Sequence, residues 1–301
     1  MTTKSRLQTF GRSCSLVITG SGDNEDELVA AAESELRRIE SKFCSYQQSS
    51  LVSQINQAAG TGAFVELDAE ARGLFDFASR LWGQSNHVFD PTTRLLQNCY
   101  SEGGELIATE SQLQQLLLII GWSKLEVTDQ GARLAHTGML IDLNSIVCAY
   151  AVDAVRKLLT KKGVTSALIE LDQDVATIGK AADGANWLVG VRHPQGARTA
   201  IARIKVNNAG FTRRGDFEKR IAFKGENFGR GLSPVDGHPV PGLLSVMVVA
   251  ENCLAACGAA SIARLKTEKA AMQWLDAIGM KWLAIDRDLN CHGPLAPGDG
   301  Y

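Results

Sequence analysis

Apolar residues recur at helical spacing from Asn24 to Ser41, where Leu28, Ala31, Ala32, Leu36 and Ile39 share one face and acidic residues fill the first turn. The pattern predicts an amphipathic helix. Similar spacing predicts helices over Asp68–Trp82 and Glu110–Ile120, and another over Ser145–Lys161 that stops near Gly163. Short apolar or alternating runs predict strands at Cys14–Thr19, Ser166–Leu171, Trp187–Arg192, Ala200–Val206 and Leu243–Val249. Gly20-Ser21-Gly22-Asp23 reads as the turn ending the first strand. Leu125–Val127 and Arg133–Ala135 read as a hairpin around Asp129-Gln130-Gly131. The last third adds helices at Asn252–Leu265 and Lys269–Ile278 and a strand at Trp282–Ile285. Helices and strands in this mixed order imply an α+β fold, with helices packed on a mixed, largely antiparallel sheet. No Pro- or Gly-rich linker divides the chain, so residues 1–301 are expected to form one domain.

Composition narrows the classes of partner. A formal net charge of −2 over 301 residues argues against nucleic acid or an anionic membrane surface as the main partner. The cysteines, seven in number and irregularly spaced, do not form a disulfide framework pattern and favour a reducing compartment. Met1 to Ser15 lacks an apolar core of signal-peptide length, and no apolar run of about 20 residues follows. A soluble, cytoplasmic protein is the expectation.

Two separated segments carry the most specific signal. Ser85-Asn86-His87-Val88-Phe89-Asp90-Pro91-Thr92 resembles the S-x-G-x-F-D-P-T signature of the ApbE family of flavin transferases. Asp142-Leu143-Asn144-Ser145-Ile146-Val147-Cys148-Ala149-Tyr150-Ala151-Val152-Asp153 resembles the same family's D-L-G-x-x-A-K-G-Y-x-V-D, with Cys148 in place of Lys and Ala149 in place of Gly. Weaker matches keep the family's order: Phe10-Gly11-Arg12 for M-G-T, and Phe43-Cys44-Ser45-Tyr46 followed by Ser50, Ser53 and Asn56 for F-S-x-Y-x-x-x-S-x-x-S-x-x-N. Glu170-Leu171-Asp172-Gln173-Asp174 stands for N-L-G-G-D, Trp187 to Pro194 for W-x-V-G-I-x-x-P, and Arg213-Arg214-Gly215-Asp216-Phe217-Glu218 for T-S-G-D-Y-E. Phe228 to Pro239 stands for Y-x-H-I-I-D-P-x-T-G-x-P, and Ala256-Cys257-Gly258-Ala259-Ala260-Ser261 for A-D-A-L-A-T. The resemblance spans roughly residues 10 to 285, and shared order and spacing speak for fold more than for activity.

The resemblance implies a protein that binds FAD, with a flavoprotein as the possible acceptor of FMN on a Thr hydroxyl. It places Ser45, Tyr46, Asp90, Thr92, Asp142, Cys148, Glu170, Asp174, Arg213 and Arg214 at nucleotide-binding positions, and Arg230 and Asp216 at catalytic ones. The family's Mg²⁺, held by the Asp and Thr of D-x-x-x-T and a backbone carbonyl near A-K-G, would here meet Cys257 and Ser261. A hard cation needs oxygen donors, and a thiol is a poor substitute for a carboxylate. Mg²⁺ is therefore expected to bind weakly or not at all. Arg230 stands where the family has a His and cannot act as a base. Arginines at such positions can instead pair with phosphate oxygens. FAD binding with weak or lost transfer is the leading expectation, with an active transferase or FAD pyrophosphatase as the alternative.

Plainer roles compete for several of these residues. Asp90 and Thr92 can cap a turn, because Asp-Pro starts turns readily. Asp142 and Asp153 can be caps or surface charges. Cys253 and Cys257, at i and i+4, can be two small buried side chains or, with Cys148, a soft-metal or redox group. Cys291-His292 has too few companions for a zinc pattern.

Overall fold

The computed structural model describes residues 2–20, 24–192, 200–215, 221–223, 226–229 and 231–297. One eight-stranded sheet runs in the order β1 (Thr2–Thr9), β2 (Arg12–Thr19), β5 (Ala167–Leu171), β6 (Asp174–Ile178), β9 (Gly210–Gly215), β12 (Ser245–Ala250), β13 (Lys281–Ile285) and β14 (Cys291–His292). Every ladder in it is antiparallel, so the parallel component left open by the sequence is missing from the described sheet. Three two-stranded ribbons complete the β structure: β3 (Leu125–Thr128) with β4 (Gly131–Leu134), β7 (Trp187–Arg192) with β8 (Ala200–Val206), and β10 (Ile221–Phe223) with β11 (Glu226–Phe228). The helices are α1 (Glu25–Phe43), α2 (Leu51–Gln57), α3 (Ala69–Gln84), α4 (Glu110–Ile119), α5 (Asn144–Lys161), α6 (Cys253–Arg264) and α7 (Glu268–Ala277). The fold is α+β, and no helix among the described residues is long and apolar enough to cross a membrane.

The apolar stripe of α1 lies where its periodicity puts it. Leu28, Ala32, Leu36, Ile39 and Phe43 are buried in one core with Leu16 and Ile18 of β2, Ile169 and Leu171 of β5, and Val147, Ala151 and Val155 of α5. Each fully buried aliphatic side chain contributes about 1.5–3 kcal/mol. On the opposite sheet face the β7–β8 ribbon lays Val191, Ile204 and Val206 over Val175, Phe211, Met247 and Leu283. The sheet centre is thus covered on both sides, and β6 is buried along its whole length.

The start of α6 is fixed more tightly than its neighbours. Asn252 caps it by accepting from the Ala255 amide at 2.8 Å. The Asp153 carboxylate, reaching across from α5, accepts from the Cys253 and Leu254 amides at 2.9 and 2.8 Å. A carboxylate on free helix amides also meets the positive end of the helix dipole. Close approach to β9 requires Gly210, where a Cβ would stand 2.0 Å from the Cys253 nitrogen. These contacts set the depth at which Cys257 and Ser261 enter the sheet face.

Several elements lie outside the pattern read from sequence, β1, α2, β6 and β9 among them. β1 alternates between exposed and half-covered polar residues, as an edge strand with Lys4 and Arg6 facing water can. α2 has seven residues, too few for a helical period to register. β6 and β9 carry Asp174, Thr212 and Arg214 inward, which breaks the apolar alternation of a core strand. Of the turn expected at Gly20-Ser21-Gly22-Asp23, residues 21–23 lie outside the described residues.

Candidate functional site

A cleft of about 370 Å³ opens where the Phe89–Arg94 turn, the start of α5, strands β6 and β9, and the end of α6 meet. Among the described residues its wall carries four arginines, Arg12, Arg94, Arg214 and Arg264, and three aspartates, Asp90, Asp142 and Asp174. Asp90 and Ser261, far apart in sequence, line this same cleft.

Arg214 is the centre of the polar arrangement. Residues Asp174 and Thr212 face one another across the β6–β9 ladder, and Arg214, two residues beyond Thr212, shares their face. The guanidinium lies 2.9 Å from Asp174 Oδ1 through one terminal nitrogen and donates to Oδ2 at 3.0 Å through the other. Thr212 donates its hydroxyl hydrogen to the same carboxylate. The second terminal nitrogen of Arg214 also donates to the Ser145 carbonyl at 2.9 Å and to Cys257 Sγ at 2.9 Å. The pair is sequestered, with side-chain exposures of 16% for Arg214 and 3% for Asp174. Such a pair offsets the cost of burying charge only when the remaining donors and acceptors are also satisfied, and here most are.

Cys257 is fully buried behind Arg214, donates its thiol hydrogen to the Ser145 carbonyl at 3.1 Å, and lies 3.9 Å from Ser261 Oγ. A sulfur that donates one hydrogen bond and accepts another is a neutral thiol. Burial raises its pKa, partly opposed by Arg214. Cys253 is equally buried, donating toward Phe211 O at 3.4 Å and Asp174 Oδ1 at 3.8 Å. Cys148 lines the cleft, and burial, reinforced by Asp174, pushes its thiol up to about 12.

Asp90 and Thr92 form a locked turn. Asp90 Oδ1 accepts from the Thr92 amide at 2.8 Å and the Thr92 hydroxyl at 2.6 Å, and Oδ2 accepts from the Trp122 amide at 2.7 Å. Thr92 Oγ1 in turn accepts from the Gly121 amide at 2.8 Å. Asp90 lines the cleft, and the fully buried Thr92 holds its carboxylate in place. Asp142 pairs with Arg94 at 2.7 Å and accepts from the Asn144 amide at 2.9 Å, so it caps the entry to α5 while orienting an arginine. Arg94 lies 4.2 Å from the ring centre of Tyr46 and donates to its hydroxyl. Asn144 donates to Ser45 Oγ at 3.2 Å. Ser45 and Tyr46 thus line an adjoining recess of about 380 Å³, not the cleft itself.

Glu170 and Arg213 do not join the cleft. Glu170 pairs with Val175 on the face covered by the β7–β8 ribbon, whereas Leu171 and Asp174 turn toward the helices. Arg213 neighbours Arg214 on a strand, and consecutive strand residues point to opposite faces. Asp216 and Arg230 lie outside the described residues. Asp153, bracketed with Asp142 as a possible cap, caps not its own helix but α6.

Several wall residues were not singled out by sequence. Arg12 had a signal, since it stands at the Thr of M-G-T just as Arg213 and Arg214 stand at T-S. Arg94 follows Thr92 by two residues, and Arg264 follows Ser261 by three, without any family pattern to mark them. Two buried oxygens, Asn144 Oδ1 and Gln173 Oε1, belong to cleft-lining side chains and have no donor among the described residues.

Comparison with known proteins agrees with this architecture. The family model described as the ApbE family matches residues 1–283. The FAD:protein FMN transferase of Salmonella typhimurium is 23% identical over 245 residues, covering 77% of this chain and 69% of that protein. The FAD:protein FMN transferase of Escherichia coli is 21% identical over 240 residues, covering 76% and 68%. The apo form of the flavinyl transferase ApbE of Pseudomonas stutzeri superposes with a TM-score of 0.86 at 22% identity, covering 98% of this chain and 95% of that one. The ApbE protein of Thermotoga maritima gives 0.85 at 22% identity, covering 97% of each chain. At these identities the structural likeness speaks for the fold.

Proposed function

The chain belongs to the ApbE family, and from that premise we propose that it is an FAD-binding protein in which Mg²⁺-dependent transfer of FMN to a protein Thr is weak or lost. The observation that carries this reading is the neutral, buried thiol of Cys257, hydrogen-bonded to the Ser145 carbonyl and to Arg214. Mg²⁺ takes hard oxygen donors, with carboxylates supplying the negative charge. Here a thiol replaces the carboxylate, and burial keeps its proton on. Asp174, the carboxylate nearest this place, is already bonded to Arg214 and Thr212. Among the described residues no group of three or more His, Cys, Asp or Glu side chains is placed to hold a metal ion. The donor set does not fit Mg²⁺.

The same cleft suits the dinucleotide. Arg12, Arg94, Arg214 and Arg264 surround a space into which a pyrophosphate can bring negative charge. The unpartnered oxygens of Asn144 and Gln173 offer acceptors to N–H groups such as those on flavin and adenine rings. A flavoprotein acceptor, and a cytoplasmic setting with no nucleic acid or membrane as partner, belong to this proposal.

The test separates binding from transfer. FAD fluorescence should be quenched on titration with the protein, while incubation with FAD, Mg²⁺ and a Thr-containing acceptor peptide should yield neither FMN nor labelled peptide. Mg²⁺-dependent FMN formation at catalytic turnover would establish an active transferase or pyrophosphatase with a rebuilt site.

A further inference from the structure

One terminal nitrogen of Arg214 touches groups from three separate elements: the Ser145 carbonyl from the start of α5 at 2.9 Å, Asp174 Oδ2 from β6 at 3.0 Å, and Cys257 Sγ from α6 at 2.9 Å. A carbonyl oxygen, a carboxylate and the side chain at position 257 meeting at one point resemble the donors gathered around a cation. We infer that Arg214 is the resident cation of this cleft, fixed where a divalent ion would otherwise share these groups, so that restoring a carboxylate at position 257 does not by itself restore a metal site. The inference deepens the proposed function and rests on the same cleft.

Three features hold the guanidinium there. Its charge is permanent near neutral pH, so it cannot vacate the place by losing a proton. Its withdrawal would leave Asp174, with a side chain only 3% exposed, as an unpaired buried charge. Its other terminal nitrogen is held as well, 2.9 Å from Asp174 Oδ1 and donating to the Arg213 carbonyl at 3.1 Å. Arg214 therefore screens the cleft floor, while direct phosphate contacts fall to Arg12, Arg94 and Arg264 on the wall. FAD binding by the wild type is then independent of divalent ions.

The consequence for mutagenesis is non-additive. In Cys257→Asp the new carboxylate takes the place of a sulfur 2.9 Å from the guanidinium and forms an ion pair with it. Removing Arg214 as well opens the space and leaves two carboxylates and the Ser145 carbonyl around it, the hard donor set a divalent ion needs.

Mn²⁺ binding, read from the electron paramagnetic resonance of the free ion, tests this on wild type, C257D, R214S and C257D/R214S, with melting curves to show that each is folded. The expected result is that C257D binds Mn²⁺ no more than about threefold tighter than wild type, and the double variant at least about tenfold tighter than C257D, the scale of one added ligand interaction. A tenfold gain in C257D alone, or no gain in a folded double variant, overturns the inference. Should the double variant fail to fold, C257D still decides. A raised melting temperature without Mn²⁺ binding supports the Arg214 pair, and tight Mn²⁺ binding refutes it. No flavin enters this comparison, so failure of wild type to bind FAD would sink the proposed function and leave the assignment of Arg214 standing.

Discussion

Removing the Asp174 carboxylate isolates the energetic centre of the cleft. In Asp174→Ala the guanidinium of Arg214 loses both carboxylate contacts, at 2.9 and 3.0 Å, and remains in a site where its side chain is 16% exposed. Breaking a buried pair by deleting one partner costs roughly 3–5 kcal/mol, mostly from the charge left behind. The low end, about 3 kcal/mol, is expected here because Arg214 keeps the Ser145 and Arg213 carbonyls and the Cys257 sulfur. The comparison is Arg12→Ala, which breaks the Arg12–Asp172 pair at 43% and 36% side-chain exposure. Exposed pairs contribute about 0–1 kcal/mol. Urea unfolding of both variants, with Asp174→Leu/Arg214→Met as the case in which neither charge remains, measures the difference. The paired replacement should recover most of the loss. A cost for Asp174→Ala no larger than that of Arg12→Ala would refute the account of a sequestered, mutually dependent pair.

Other consequences are separately measurable. Asp153→Ala strips two backbone amides of α6 of their acceptor and should cost about 2 kcal/mol in urea unfolding, with Asp153→Asn costing less because an amide oxygen still accepts. Burial raises the Asp153 carboxyl pKa, so the folded state binds its proton more tightly than the unfolded one. That contribution is full below about pH 3.9 and is lost as pH rises through the folded value, and a stability profile of Asp153→Asn should lack this slope. Cys148, pushed up to about 12, carries a thiolate fraction of roughly 10⁻⁴ at pH 8, so a thiol reagent should modify the half-buried Cys291 first and Cys148 only on unfolding. FAD affinity should fall as salt rises from about 0.05 to 0.5 M, and Arg94→Ala should weaken it roughly tenfold if Arg94 donates to the pyrophosphate; fluorescence titration checks both.

The legible and illegible parts of this molecule divide by what each strand carries inward. α1 and α5 could be read to within two residues because their buried faces are aliphatic and recur at helical period. β6 and β9 could not, because their inward positions hold Asp174, Thr212 and Arg214, whose burial depends on one another and not on hydrophobicity. The partner that makes an inward arginine tolerable lies 40 residues away, and no local pattern records it. Once β9 is known to be a strand, the two-residue period sends Arg214 toward Asp174 and Arg213 away from it. The same parity separates Glu170 from Leu171 one strand over. The run Arg213-Arg214 thus resolves into one cation locked to an aspartate inside the cleft and one on the far face of the sheet. The number of cations a nucleotide can meet in the cleft is therefore set by strand parity as well as by composition.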